Sequence, residues 1–236
     1  MFDLSNQFPK FYQFHGRRIS RKISQSNINL IKSTFNKYSV DNDVINFLIK
    51  KNDNPNLYLN NGFKKVVIEV GFGNGDYLIY NAKKNPDILY IGSEVYVNGL
   101  AKVLKNIIDY NIRNIKICGL NFLFLLKSLK LRTIDEIYII NPDPWHKKRH
   151  NKRRLINSDN LLSMYRLLKT NGKIFISTDS KDYFDEIKLI ITGDKQFKKN
   201  IYECMRESDI MYGISNYQKK AISNKRDLYK IEIFHK

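Results

Sequence analysis

Several things are scarce in this chain of 236 residues. Its two cysteines, Cys118 and Cys204, sit far apart in apolar stretches. That excludes a disulfide framework and a CxxC metal pair, and fits a reducing compartment. No apolar run approaches the roughly 18 residues that a membrane-spanning helix needs. The first residues, MFDLSNQFPKFYQF, lack the charged region and continuous apolar stretch of a secretory signal, so a cytoplasmic protein is expected. Alanine is rare. Acids are outnumbered, 23 Asp and Glu against 41 Lys and Arg, for a formal net charge of +18. Such a field recruits anionic partners and says nothing about fold. Without a basic amphipathic helix carrying a broad aromatic face, nucleic acid is favoured over a membrane surface.

The length suits one sizeable domain with a short extension. Residues 1–40 are polar, carry Arg17, Arg18, Arg21 and Lys22, and are expected to form a basic N-terminal arm that is mobile or orders on binding. Residues 41–236 are expected to form a single domain, beginning with a short helix around Val44–Leu48. From Lys65 onward VVIEV, ILYIG, NIKIC, EIYII and KIFIS are short β-rich runs spaced widely enough for intervening helices. Strands alternating with helices predict an α/β fold, a mostly parallel central sheet with helices on both faces. Two last runs, Phe197–Cys204 and Leu228–Phe234, are expected to add an antiparallel edge.

In VVIEVGFGNGDYLI, Gly71, Gly73 and Gly75 follow the first of these strands directly. Glycines there permit positive φ and close approach of a ligand to the backbone, and the next helix begins with free N–H groups. A dinucleotide fingerprint would be G-x-G-x-x-G. Here the last position is Asp76, so a nicotinamide oxidoreductase is disfavoured.

An acid that closes a strand before G-x-G-x-G resembles the first motif of class I methyltransferases, whose methyl donor is S-adenosyl-L-methionine. The resemblance implies a Rossmann-like fold and places Glu69, with the three glycines, at the methionine end of that cofactor. Glu94 ends the second run about twenty residues later, where a carboxylate can accept both ribose hydroxyls. Asn121 and Phe122 occupy the adenine position, with Asn121 standing where the family commonly has an acid.

The fourth run delivers NPDPWHKKRHNKRRL, with two of the five prolines around Asp143 and the single tryptophan after them. This segment, the later Ser177–Thr178–Asp179 and the near-terminal SNYQKKA are similar to the signature of bacterial tRNA (guanine-N7-)-methyltransferases. FHGRRISRK in the arm is similar to a basic segment near that family's N-terminus. The resemblance implies tRNA as the partner and guanine N7 in the variable loop as the acceptor. On that reading Asp143 orients the base and stabilises its developing charge, beside the cofactor. Lys147, Asp179, Ser215, Asn216, Tyr217 and Gln218 contact the substrate. Gln218 stands where the family typically has an acid. Arg149, His150, Asn151, Lys152, Arg153 and Arg154 are expected on RNA phosphates. Alternatives kept open are another class I RNA methyltransferase and a non-catalytic RNA-binding protein on the same fold. Trp145 can stack on the base or pack the loop. His146 and His150 are four apart, but no acid or cysteine completes a metal site, so no metal is expected. A monomer and a homodimer fit equally.

Overall fold

The five β-rich runs become β1 (Lys65–Val70), β2 (Ile88–Ser93), β3 (Ile115–Cys118), β4 (Ile134–Ile140) and β5 (Leu168–Thr178), all parallel. The computed structural model describes residues 23–49, 57, 59, 62–203 and 227–235. Five of the six residues in β1 are buried, as are five of six in β2. Burial on both faces is what near-continuous apolar runs require of parallel strands.

Two further strands, β6 (Lys198–Tyr202) and β7 (Tyr229–Phe234), complete a seven-stranded sheet of order β3-β2-β1-β4-β5-β7-β6. The expected antiparallel strand is β7, which runs against both β5 and β6 and so lies one place inside the rim. Helices cover both faces. On one, α1 (Gln25–Tyr38), α3 (Asp76–Lys84) and α4 (Val97–Asp109) pack on Val67, Tyr90, Ile115 and Tyr138. On the other, α2 (Asp41–Ile49), α5 (Phe122–Ser128), α6 (Ser158–Leu167) and α7 (Lys181–Gly193) pack on Val66, Ile68, Ile137 and Ile176.

The boundary expected at residue 40 is corrected by α1. Leu30, Ile31, Phe35 and Tyr38 recur at helical spacing and pack into the core beside α4. Ser24 caps the helix by accepting from the Asn27 N–H. Polar residues between these four hid the stripe. At the junction with α2, the Val40 N–H donates to the Ile117 carbonyl at 2.9 Å and Asp41 accepts from the Gly119 N–H at 2.8 Å. The basic part of the expected arm lies outside the described residues.

Candidate active site

Register places the functional loops at one level. Val70 pairs with Ser93 and with Ile139, Ser93 pairs with Cys118, and Ile140 pairs with Ser177. The loops after β1, β2, β3, β4 and β5 therefore all leave from the carboxyl edge. Strand order reverses between β1 and β4, the place where open α/β sheets hold ligands.

The turn after β1 uses its glycines as expected: Gly71, Gly73 and Gly75 have φ of 71°, 54° and 75°. The N–H groups of its glycines are not spare, however. Gly71 donates to the Ser93 carbonyl, Gly73 to Glu94 and Gly75 to the Phe72 carbonyl, each at 2.8 Å. Acids gather around the turn. Glu69 is 3% exposed and leaves one carboxylate oxygen without a partner among the described residues. Burial, then repulsion from Glu94 and Asp76, pushes its carboxyl up to about 8, against a weaker opposing hydrogen bond from the Leu78 N–H. A buried carboxyl with two acidic neighbours suits a ligand bearing cationic groups and opposes a pyrophosphate.

That raised value has a sign. The folded state holds the Glu69 proton through a range in which the unfolded chain has already lost it. This contribution is fully present below the ordinary carboxylate range and is lost as pH climbs through about 8. Thermal melts of the ligand-free protein are expected to fall over that window, with Glu69→Gln removing that part of the decline. An identical slope in the variant would refute a titration at Glu69.

Glu94 reaches the turn as its spacing implies, but the ribose grip is not preformed. One oxygen accepts from Gly73, the other from the N–H groups of Val95 at 2.8 Å and Tyr96 at 3.0 Å. A carboxylate has about four lone-pair positions, so a bidentate diol contact must displace some of these donors. Asn121 caps α5, its carbonyl accepting from the Leu123 N–H at 3.0 Å, and Phe122 is buried. The adenine acceptor foreseen for Asn121 is thus engaged by the helix it begins.

The loop from Asn141 to Trp145 starts and ends in the left-handed region, with φ of 48° and 47°. Asparagine tolerates that conformation; a bulky aromatic rarely adopts it, at a cost of about 1–3 kcal/mol. The surroundings hold it there. The Asn141 N–H donates to the Ser177 carbonyl at 2.9 Å. Trp145 packs edge-on to His150, centroids 5.8 Å apart, with the Arg153 guanidinium 5.1 Å from its ring. Of the two roles open to Trp145, this geometry supplies the packing one. Asp143 projects between the prolines with its side chain exposed, and no described residue donates a hydrogen bond to it. Its surroundings still remove enough water to raise its carboxyl above the ordinary value.

Behind the loop, Lys148–Arg153 form a 3-10 turn led by Lys147. Lys147, Arg149 and Lys152 are exposed, whereas His150, Asn151 and Arg153 are half-buried. Arg154 departs from the expectation of a phosphate contact: it is 3% exposed and bonded within the protein. Asp179 follows β5, one residue before Ser180, which takes the N-cap of α7 and leaves Asp179 outside the helix. Ser215, Asn216, Tyr217 and Gln218 lie outside the described residues. Among the described residues no group of three His, Cys, Asp or Glu is placed to hold a metal, and no helix is long and apolar enough to cross a membrane.

Sequence reasoning missed Gly99. A Cβ there would fall 1.9 Å from the Gly73 carbonyl oxygen. A lone glycine inside the otherwise helical VNGLAKVL was the available signal.

Comparison with known proteins agrees with this geometry. A family model, Methyltransf_4, described as "Putative methyltransferase", matches residues 63–231. A tRNA (guanine-N(7)-)-methyltransferase of Wolbachia pipientis wMel is 35% identical over 178 residues, 74% of this chain and 78% of that protein. A bifunctional methyltransferase of Rickettsia felis is 35% identical over 215 residues. That match takes in 90% of this chain but only 38% of the relative, so the chain spans well under half of that protein's length. The crystal structure of a 30S ribosomal A1408 methyltransferase from an uncultured bacterium shares the fold. Its TM-score is 0.53 at 23% identity, covering 83% of this chain and 93% of that one. With the parallel sheet, the glycine turn and the Asp143 loop all inside the matched span, the chain belongs to the Methyltransf_4 methyltransferase family.

Proposed function

We propose that this chain is an S-adenosylmethionine-dependent enzyme that methylates N7 of a guanine in the variable loop of tRNA, acting in the cytoplasm. The observation that carries the reading is Asp143: an acid on a conformationally fixed loop at the sheet's switch point, with the exposed part of a basic turn directly behind it. The name of the Wolbachia relative supports the same reaction.

The cofactor fits the residues present. Glu69, Glu94 and Asp76 surround the turn with carboxyl groups, and Glu69 keeps an unpartnered oxygen among the described residues. Glu69 would face the cationic methionine end and Glu94 the ribose, while Asn121 and Phe122 would border the adenine. When bound, S-adenosylmethionine supplies an electrophilic methyl on a sulfonium. Guanine N7 carries an in-plane lone pair and no proton, so no general base is needed. What the protein must do is align the base and balance the positive charge that develops on the purine. Asp143 balances that charge. Asp179 and the segment Ser215–Gln218 are proposed to hold the base, and Lys147, Arg149 and Lys152 the phosphates.

Incubating tRNA with protein and S-adenosylmethionine, then cleaving with borohydride and aniline, reads N7-methylguanosine directly. A new cleavage in the variable loop is expected. Methyl incorporation without that cleavage would reassign the chain to another RNA methyltransferase, and no incorporation would point to an RNA-binding role. Neutralising Arg149 and Lys152 to alanine is expected to weaken tRNA binding and flatten the salt dependence by about two in log–log slope. An unaltered slope would return both residues to a merely solvated surface.

A further inference from the structure

Arg154 ends the basic run, yet its side chain is 1% exposed. Its guanidinium is shared three ways. Nε donates to the Pro144 carbonyl at 2.9 Å, Nη1 pairs with Glu186, and Nη2 pairs with Asp182. The group lies over the Tyr183 ring, 4.8 Å from its centroid. Two residues on, the Ile156 N–H donates to the Tyr183 hydroxyl at 2.9 Å. Pro144 adjoins Asp143, and Asp182, Tyr183 and Glu186 sit on α7, whose first turn begins just after Asp179. One buried cation thus joins the loop after β4 to the helix after β5.

A buried guanidinium costs several kcal/mol unless it is well paired. Fastening α7 to the body would not require that outlay, because Tyr183, Phe184, Ile187 and Ile191 on α7 are already buried in the core. The arginine contributes something apolar packing cannot: a planar fork of donors with fixed directions. One of them ends on a carbonyl between the left-handed residues Asn141 and Trp145. The acids it meets are partly exposed, 36% for Glu186 and 71% for Asp182, so Glu186 is the stronger anchor.

We propose that Arg154 is a positioning residue for methyl transfer: by tying the Pro144 carbonyl to α7, it fixes the Asp143 carboxylate relative to Asp179. This rests on the proposed guanine N7 reaction. It separates Arg154 from Lys147, Arg149 and Lys152, to which the proposed function gives the RNA phosphates.

The test compares Arg154→Lys and Glu186→Gln with the unaltered protein. Lysine keeps the charge but cannot reach three acceptors in one plane. Arg154→Lys is expected to lower kcat for N7 methylation about 30- to 100-fold, as a displacement of about 1 Å at reacting groups does. Its Kd for tRNA and the salt slope are expected to stay within twofold. Glu186→Gln, at the surface, is expected to fold normally and lower kcat less, about three- to tenfold. Trp145, the sole tryptophan, gives a second readout that does not depend on turnover. Its emission and its quenching by acrylamide are expected to change in Arg154→Lys. Loss of tRNA affinity with a flatter salt slope and unchanged kcat would make Arg154 a phosphate contact and overturn the proposal. Unchanged tryptophan emission in a folded variant would overturn it too, whatever the activity. Failure of the unaltered protein to make N7-methylguanosine would instead sink the assigned reaction and leave the emission result to decide on the tie itself.

Discussion

Replacing Asp143 with alanine is expected to slow N7 methylation by about 100- to 1000-fold, the usual loss when one preorganised electrostatic group is removed from a transition state. The tRNA Kd should move by no more than about twofold, since one carboxylate adds nothing to phosphate attraction. Single-turnover rates and filter binding would separate the two effects. The argument rests on the acceptor. N7 gains a bond without losing a proton, so positive charge appears on the purine and stays there until the product leaves. A carboxylate held by a stiff loop needs no reorganisation to meet that charge. Asp143→Asn keeps the shape and loses the charge, so its rate should lie closer to the alanine variant than to the unaltered enzyme. Because its surroundings raise the Asp143 carboxyl, the rate should climb with pH through a midpoint above the ordinary aspartate value. An alanine variant with an unchanged rate would remove Asp143 from the reaction.

Gly99→Ala is expected to have the next largest effect, and on a different quantity. The added Cβ would lie 1.9 Å from the carbonyl oxygen of Gly73 and 3.0 Å from its carbonyl carbon. Both are backbone atoms, so no side chain can swing aside. Either α4 backs away or the glycine turn moves, and Gly73 is itself bonded to Glu94. Overpacking of this kind costs about 1–3 kcal/mol of stability. Affinity for S-adenosylmethionine should fall at least about tenfold, equivalent to about 1.4 kcal/mol, while tRNA affinity persists. Lys105→Ala, on the exposed side of the same helix, is the matched control. Calorimetry with S-adenosylmethionine and a melting curve for each variant would check both parts. Cofactor affinity unchanged in a folded Gly99→Ala would show that the turn tolerates displacement.

Features set by a few neighbouring residues could be read from the sequence. Each β-rich run became a strand because apolar continuity signals burial on both faces. The glycines of the turn took positive φ because glycine does so at no steric cost. Glu94 arrived at that turn because βαβ geometry fixes the spacing. What could not be read depends on partners remote in sequence. Arg154 sits among cations and looks like one of them; Asp182 and Glu186, some thirty residues on, join the Pro144 carbonyl in turning it inward. Gly99 is one glycine in a helix until Gly73 is placed against it. Helix α1 was hidden because its apolar stripe is four residues wide in a polar stretch, and the strands it covers come much later. The inserted position of β7 likewise depends on pairing across more than fifty residues of chain.

The junction between α1 and α2 bears on how the sheet ends. Strand β3 is outermost, and an outermost strand presents unpaired backbone groups that invite another chain to add on. Here Val40 donates to Ile117 and Asp41 accepts from Gly119, so the junction occupies backbone groups at the carboxyl end of that rim. Phe35 lies so close that a Cβ on Gly119 would meet its ring at 2.8 Å. A chain begun at residue 41 would lose Val40 and Phe35 together, baring both the rim and the apolar surface beside it. The segment that reads from sequence as a mobile basic arm thus includes residues that cover this end of the sheet's rim.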